Sequence, residues 1–318
     1  MNFWEDIVDL QFVLSVVAIF YYSCILLLML TSKSAVFRSA FFRIYIVTGF
    51  FDILAVVAIE WIRADLKNGF GPNYEIASRI ASAMTGTNFF THLFGCFLMT
   101  ANRYTAACHP NIYEKFWSPN VLYILLFIDI SVAYLSHFPL FLIKFVYEWR
   151  NNSWILTGRE NTIPTTRLMI ASVATIYEVL SLFLIARTIY AIRAAMKGQK
   201  ARRLWQEMGL VMVTAVDCLL GALECIYEIS ALFGLNNEEN PVIYWVTRHY
   251  KFYMFLFVTM NAYSIMFLSS SLRHEALKLC RCGRLFTPLT TYPRKISMTI
   301  TSSGCRIWTR RRQIEPFP

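Results

Sequence analysis

The chain has 318 residues, of which 57% are hydrophobic and 16% charged, with a formal net charge of +10. Soluble domains average roughly 45 to 50% apolar and about 25% charged residues, so this composition excludes an ordinary soluble enzyme and leaves apolar surface that only lipid or a helix bundle can take up. The predicted fold class is an all-α membrane protein, a bundle of seven transmembrane helices.

A hydrocarbon core about 30 Å thick takes roughly 20 mostly apolar residues in helical form. Seven such stretches are read near residues 11–30, 41–61, 80–102, 120–142, 168–193, 208–233 and 250–270. Residues 1–272 are expected to form the membrane domain and 273–318 a basic tail that begins with an amphipathic helix.

Ahead of the first span, Glu5, Asp6 and Asp9 stand without any Lys or Arg, unlike the basic start of a cleaved signal peptide, so the span is expected to be retained. Lys33 and Arg38 follow it. Because basic flanks stay cytoplasmic, the N-terminus is predicted outside, in a multi-pass plasma-membrane protein. Asn151-Asn152-Ser153 falls in the outer connector between spans four and five, which makes Asn151 the candidate N-glycosylation site. The basic residues flank spans, so anionic membrane lipid is the expected partner of the inner face and no nucleic acid is expected.

Ionisable groups inside a membrane are expensive and mark candidate function. Asp52 lies mid-way along the second span and Asp129 deep in the fourth. In the sixth, Asp217, Glu224 and Glu228 fall within about 20° of one line at 100° per residue, forming an inward acidic stripe. Glu224 and Glu228, with Glu60 and Trp61 of span two, His92 of span three and Glu178 of span five, are the candidate ligand-binding set in the outer half. Such a pocket suits a small polar or cationic ligand; hydrogen bonding between neutral carboxyls is the alternative reading of each acid.

Arg193, Lys197, Lys200, Arg202 and Arg203 crowd the inner loop between spans five and six, suiting an acidic partner surface or anionic lipid. Cys24, Cys96, Cys218 and Cys225 sit in spans, where cysteine packs as a small apolar group. No outer connector holds a cysteine, so the second outer loop is expected to be held only by packing. Cys280 and Cys282, after an amphipathic run from Ser271, suit palmitoylation on the inner leaflet, with two unmodified thiols as the alternative.

At the inner end of the third span stands Ala101-Asn102-Arg103-Tyr104-Thr105-Ala106-Ala107-Cys108-His109-Pro110, followed by Tyr113 and Trp117. This segment resembles the rhodopsin-like G-protein-coupled receptors, in which an acidic residue occupies the place of Asn102. With Phe41-Phe42-Arg43-Ile44-Tyr45 and Gly49-Phe50-Phe51-Asp52, it is similar to the nematode serpentine chemoreceptors of the Srg superfamily, including its Srg and Srv branches. The resemblance implies a small odorant or pheromone ligand. It also implies a heterotrimeric G-protein that meets Asn102, Arg103, Tyr104 and the basic loop through Arg193, Lys200, Arg202 and Arg203. Where the wider pattern has Asn-Pro in the seventh span, this chain has Asn261-Ala262, and the sixth span holds no proline.

The sequence has no phosphate-binding glycine loop, no His-Glu-x-x-His zinc motif and no nucleophile elbow, so no enzyme activity, metal or cofactor is expected. A ligand-gated channel or small-solute transporter is the alternative, since buried acids also line ion paths. Against a transporter, the two halves of the chain show no repeat.

Overall fold

The computed structural model describes residues 9–150, 153–160, 164–196, 201–233 and 241–282. Helix α1, Leu10–Thr31, starts where the Asp9 carboxylate accepts the Phe12 N–H at 2.9 Å, an N-cap that satisfies one orphan donor. Helix α2, Ala40–Asn68, stops at Gly69, whose φ of 60° lies in the left-handed region and whose N–H donates to the Asp65 carbonyl.

After a 3-10 turn at Pro72–Tyr74 comes α3, Glu75–Cys108, and then the short α4, Pro110–Phe116. Helix α5, Pro119–His137, passes into a 3-10 turn at Phe138–Phe141 that contains Pro139. The proline therefore ends this span instead of kinking it. A hairpin of β1, Phe145–Arg150, and β2, Ser153–Arg159, follows. The remaining elements are α6 (Pro164–Met196), α7 (Ala201–Leu232), α8 (Pro241–Arg248), α9 (Tyr250–Leu268) and α10 (Ser270–Cys282).

Among the described residues six helices, α1, α2, α5, α6, α7 and α9, are long and apolar enough to cross a membrane. Each keeps large apolar side chains outward: Phe20, Phe50, Phe127, Phe183, Leu219 and Phe267 are all at least 57% exposed. Such side chains belong against hydrocarbon, and helices meet the bilayer's demand that backbone groups be satisfied internally. The seventh long helix, α3, is more polar. It packs against α2, α5, α6 and α7, and it buries Thr87, Asn88, Thr91, His92, Asn102 and Arg103. Protein surrounds it, so it escapes the apolarity that a lipid face imposes.

Small residues let the helices close. A Cβ on Gly95 of α3 would stand 2.0 Å from Thr48 Oγ1 of α2. The bundle interior is aromatic, with Tyr22, Phe41, Tyr45, Phe90, Tyr253 and Phe257 nearly inaccessible.

The hairpin covers the end of the bundle where Asp9 lies, and hydrogen bonds hold it there. Tyr147 OH donates to Asp65 Oδ2 at 2.8 Å, the Phe145 N–H donates to Glu75 Oε1 at 2.9 Å, and Arg159 donates to Ser82 Oγ at 2.6 Å. Trp154 presses on Gly69 and Gly71, where any Cβ would come within 2.5 Å of it. This corrects the expectation that packing alone secures the loop: in a connector without cysteines, polar anchors to α2 and α3 share the task.

Candidate functional site

Half-way along the bundle, five helices share a buried polar network. Asp52 of α2, fully buried, accepts from Tyr22 OH of α1 at 2.7 Å and lies 2.6 Å from His92 Nδ1 of α3. His92 Nε2 is 3.5 Å from the Cys96 thiol, one turn along α3, and that thiol lies 3.7 Å from Asp217 Oδ2 of α7. With its amide nitrogen turned toward Asp217, Asn261 of α9 donates to Oδ2 at 2.6 Å. The ring of Phe257 closes over His92 at 4.3 Å between centroids. Buried carboxyls demand donors, and here each finds them on other helices.

Sequence reasoning singled out Asp52, His92 and Asp217 but missed Tyr22 and took Cys96 for a packer. Its spacing of four from His92, which places both on one face of α3, was the available signal. Asp129 of α5 is 4% exposed, and neither of its carboxyl oxygens has a hydrogen bond among the described residues.

The six candidate ligand residues do not meet in one pocket. Glu60 accepts from Ser15 Oγ at 2.7 Å and from Arg63 at 2.8 Å, and Arg63 also pairs with Asp9. Together these residues tie the start of α1 to the end of α2. Burial pulls the Asp9 carboxyl up, but the Phe12 N–H and the Arg63 and Lys67 charges outweigh it and hold the group below its ordinary value. Trp61 donates from Nε1 to Ser78 Oγ at 3.2 Å and packs with Phe70 and Tyr74. His92 belongs to the central network.

Glu178, Glu224 and Glu228 remain grouped around Cys225 of α7, Glu178 on the α6–α7 seam and the other two beside Tyr253 of α9, and all three are buried. Glu178 reaches across to Gly221, where a Cβ would stand 3.0 Å from its Oε2. Neither oxygen of Glu178 makes a hydrogen bond of ordinary geometry, and Oε2 of Glu224 lacks one too. The Tyr227 ring stacks on Tyr250 at 3.9 Å near the same end of the seam.

At the opposite end, Arg103 is 7% exposed. It donates to Asn102 Oδ1, and its guanidinium carbon lies 4.6 Å from the centroid of the Phe41 ring. Asn102 in turn donates to Tyr113 OH of α4 at 3.2 Å, and Trp117 Nε1 donates to Thr105 Oγ1 at 2.6 Å. Tyr104 points away from these contacts, to His109 Nε2 at 3.3 Å. Sequence reasoning quoted Phe41 only within the Phe41–Tyr45 motif and anticipated neither it nor Asn102 as a partner of Arg103.

Arg193 is exposed near the end of α6. Lys200 and Asn151 lie outside the described residues, as do the side chains of Arg202, Arg203, Cys280 and Cys282, whose backbones belong to α7 and α10.

Seven long helices, a central polar one ending in Asn-Arg-Tyr, a hairpin over one end and a further helix after the last span define a seven-transmembrane receptor of the G-protein-coupled type. The profile of the serpentine type 7TM GPCR chemoreceptor family Srv matches residues 11–282, and the chain belongs to that family. The match resolves the branch that the sequence motifs left open, and it makes the chain a chemosensory receptor of a family that is not enzymatic. No curated protein matches the chain.

Proposed function

We propose that this receptor lies in the plasma membrane with its N-terminus outside, binds a small odorant or pheromone in its outer half, and activates a heterotrimeric G-protein through Arg103 and the basic α6–α7 loop. The carrying observation is that buried Glu178, beside the Cys218 thiol, and Oε2 of buried Glu224, beside Tyr253, make no hydrogen bond of ordinary geometry among the described residues, although an apolar interior penalises such acceptors. A ligand with an ammonium or hydroxyl group would supply the missing donors. Those acids lie in the half of the bundle beneath the hairpin, while Arg103 lies at the other end, an arrangement that supports reading one side as sensing and the other as signalling. The acidic N-terminal segment, basic inner connectors and Asn151 sequon support the orientation.

The test is nucleotide exchange on purified heterotrimers by receptor-containing membranes. Arg103→Gln, which keeps most of the packed side-chain stem, should abolish exchange at normal surface abundance. Once a ligand is in hand, Glu178→Gln and Glu224→Gln should each weaken a cationic ligand roughly tenfold or more, the value of one charge-assisted contact. Ligand-evoked currents that survive both Arg103→Gln and G-protein depletion would establish a channel instead.

A further inference from the structure

Arg103 meets a support from another helix, at the head of the Phe41–Tyr45 motif. The face of the Phe41 ring, from the first turn of α2, lies 4.6 Å from the guanidinium carbon. Phe41 is itself fully buried and immobilised by two successive edge-to-face contacts, with Phe42 at 5.4 Å and from Phe42 to Phe37 at 5.0 Å. Asn102, also fully buried, accepts from Arg103 and is fixed through Tyr113 of α4. An arginine can swing over many rotamers, so two anchored partners on different elements restrict where its head can go. The attraction of a cation to an aromatic face is strongest where water is excluded, as it is here.

We propose that Phe41 is a positioning residue for signalling: its ring holds the Arg103 guanidinium in the silent arrangement, with Asn102 and Tyr113 fixing the orientation. Release of Arg103 from the ring then belongs to activation. The inference rests on the reading of Arg103 as the G-protein contact, and it adds a residue outside the Asn-Arg-Tyr segment to that machinery. Because it concerns the silent state, it is read without any ligand.

The experiment measures ligand-free nucleotide exchange, normalised to surface receptor. Phe41→Leu keeps an apolar side chain but removes the ring, and should raise basal exchange about five- to thirtyfold, the bias that one desolvated cation–ring contact gives a two-state equilibrium. Phe41→Tyr keeps the ring and should raise basal exchange per receptor less than Phe41→Leu does. Should Phe41→Leu fail to reach the membrane, stepwise fluorination of a phenylalanine at position 41 weakens the ring's negative face at nearly constant shape, and basal exchange should climb with each fluorine. A merely structural Phe41 would show reduced abundance and no rise in exchange per receptor. Wild-type exchange from Phe41→Leu or the fluorinated series, beside a silent Arg103→Gln, overturns this inference alone. An Arg103→Gln receptor that still drives exchange overturns the coupling reading and this inference with it.

Discussion

Replacing Tyr147 with Phe tests whether the hairpin is anchored as the geometry indicates. The hydroxyl of Tyr147 donates to Asp65 Oδ2 at 2.8 Å, and Asp65 is 1% exposed, so water cannot readily take the donor's place. The other carboxyl oxygen of Asp65 accepts from the Phe70 N–H at 3.2 Å. Losing a hydrogen bond to a charged group costs about 1.5 to 3 kcal/mol, and a buried acceptor left short of a donor belongs at the upper part of that range. The change is local, because one hydroxyl is removed while the anchors at Glu75 and Ser82 and the Trp154 packing on Gly69 and Gly71 stay in place. If opening of the hairpin breaks this anchor, its population rises roughly tenfold to a hundredfold. Hydrogen exchange of the receptor in lipid nanodiscs reads this directly: amides in Phe145–Arg150 and Ser153–Arg159 should exchange faster by that factor in Tyr147→Phe, while those of α2 below Asp65 stay unchanged. Tyr123→Phe, which removes an exposed 3.3 Å contact with Arg43 at the opposite end, is the control. Hairpin exchange equal to wild type in Tyr147→Phe would refute the anchoring argument.

Gly95→Ala should destabilise the bundle by about 1 to 3 kcal/mol or more, because its Cβ would fall 2.0 Å from Thr48 Oγ1. Adding Thr48→Ala should recover part of the loss, and strictly additive effects in thermal unfolding of the double variant would show that the two sites do not touch. For Asp9, the carboxyl sits below its ordinary value when folded, so its tie to Arg63 and Lys67 is present at neutral pH and is lost as pH falls below the ordinary carboxylate range, about 4. The stability difference between wild type and Asp9→Asn should therefore shrink as pH is lowered from 7 toward 3, whereas a difference constant over that range contradicts the assignment.

The bundle was legible in the sequence because lipid imposes long apolar runs, and those runs appear as α1, α2, α5, α6, α7 and α9. Helix α3 was legible for another reason. Its polar residues did not erase its length, and Asn102-Arg103-Tyr104 marked its end. Tertiary context decided what periodicity could not. The hairpin holds residues of mixed polarity, and its order comes from Asp65, Glu75 and Ser82 on other elements. The acidic stripe of α7 was correctly placed inward, since Asp217, Glu224 and Glu228 are all buried. Its members part company in the structure: Asp217 joins the central network while Glu224 and Glu228 lie beside Tyr253 of α9. Periodicity gives the face of a helix, and only the neighbours decide whether an acid on it is satisfied. Glu60 shows the same limit, because its partners Ser15 and Arg63 lie on α1 and one turn along α2, where no spacing rule joins all three.

The absence of proline in α7 bears on how such a bundle can change state. A kinked helix can swing its outer half while its inner half stays put, whereas an unkinked one must rotate or slide more nearly as a unit. Asp217 and Glu224 are two turns apart on α7, so any rotation of the helix that moves Glu224 also turns Asp217 against its neighbours. Asp217 is fully buried and has its donors on α3 and α9. Small rotations would strip it of those donors without giving it water, at a cost on the order of 1 to 3 kcal/mol. Intermediate positions are therefore penalised, and α7 is favoured only where Asp217 keeps or exchanges a full set of partners. Cys96 and Asn261 are the residues across which such an exchange must pass, and His92 with Asp52 stands directly behind Cys96. The polar centre gives the helix discrete stopping points that a wholly apolar core would not, and discrete stops are what a receptor needs if a small displacement at one end is to be read as a switch at the other.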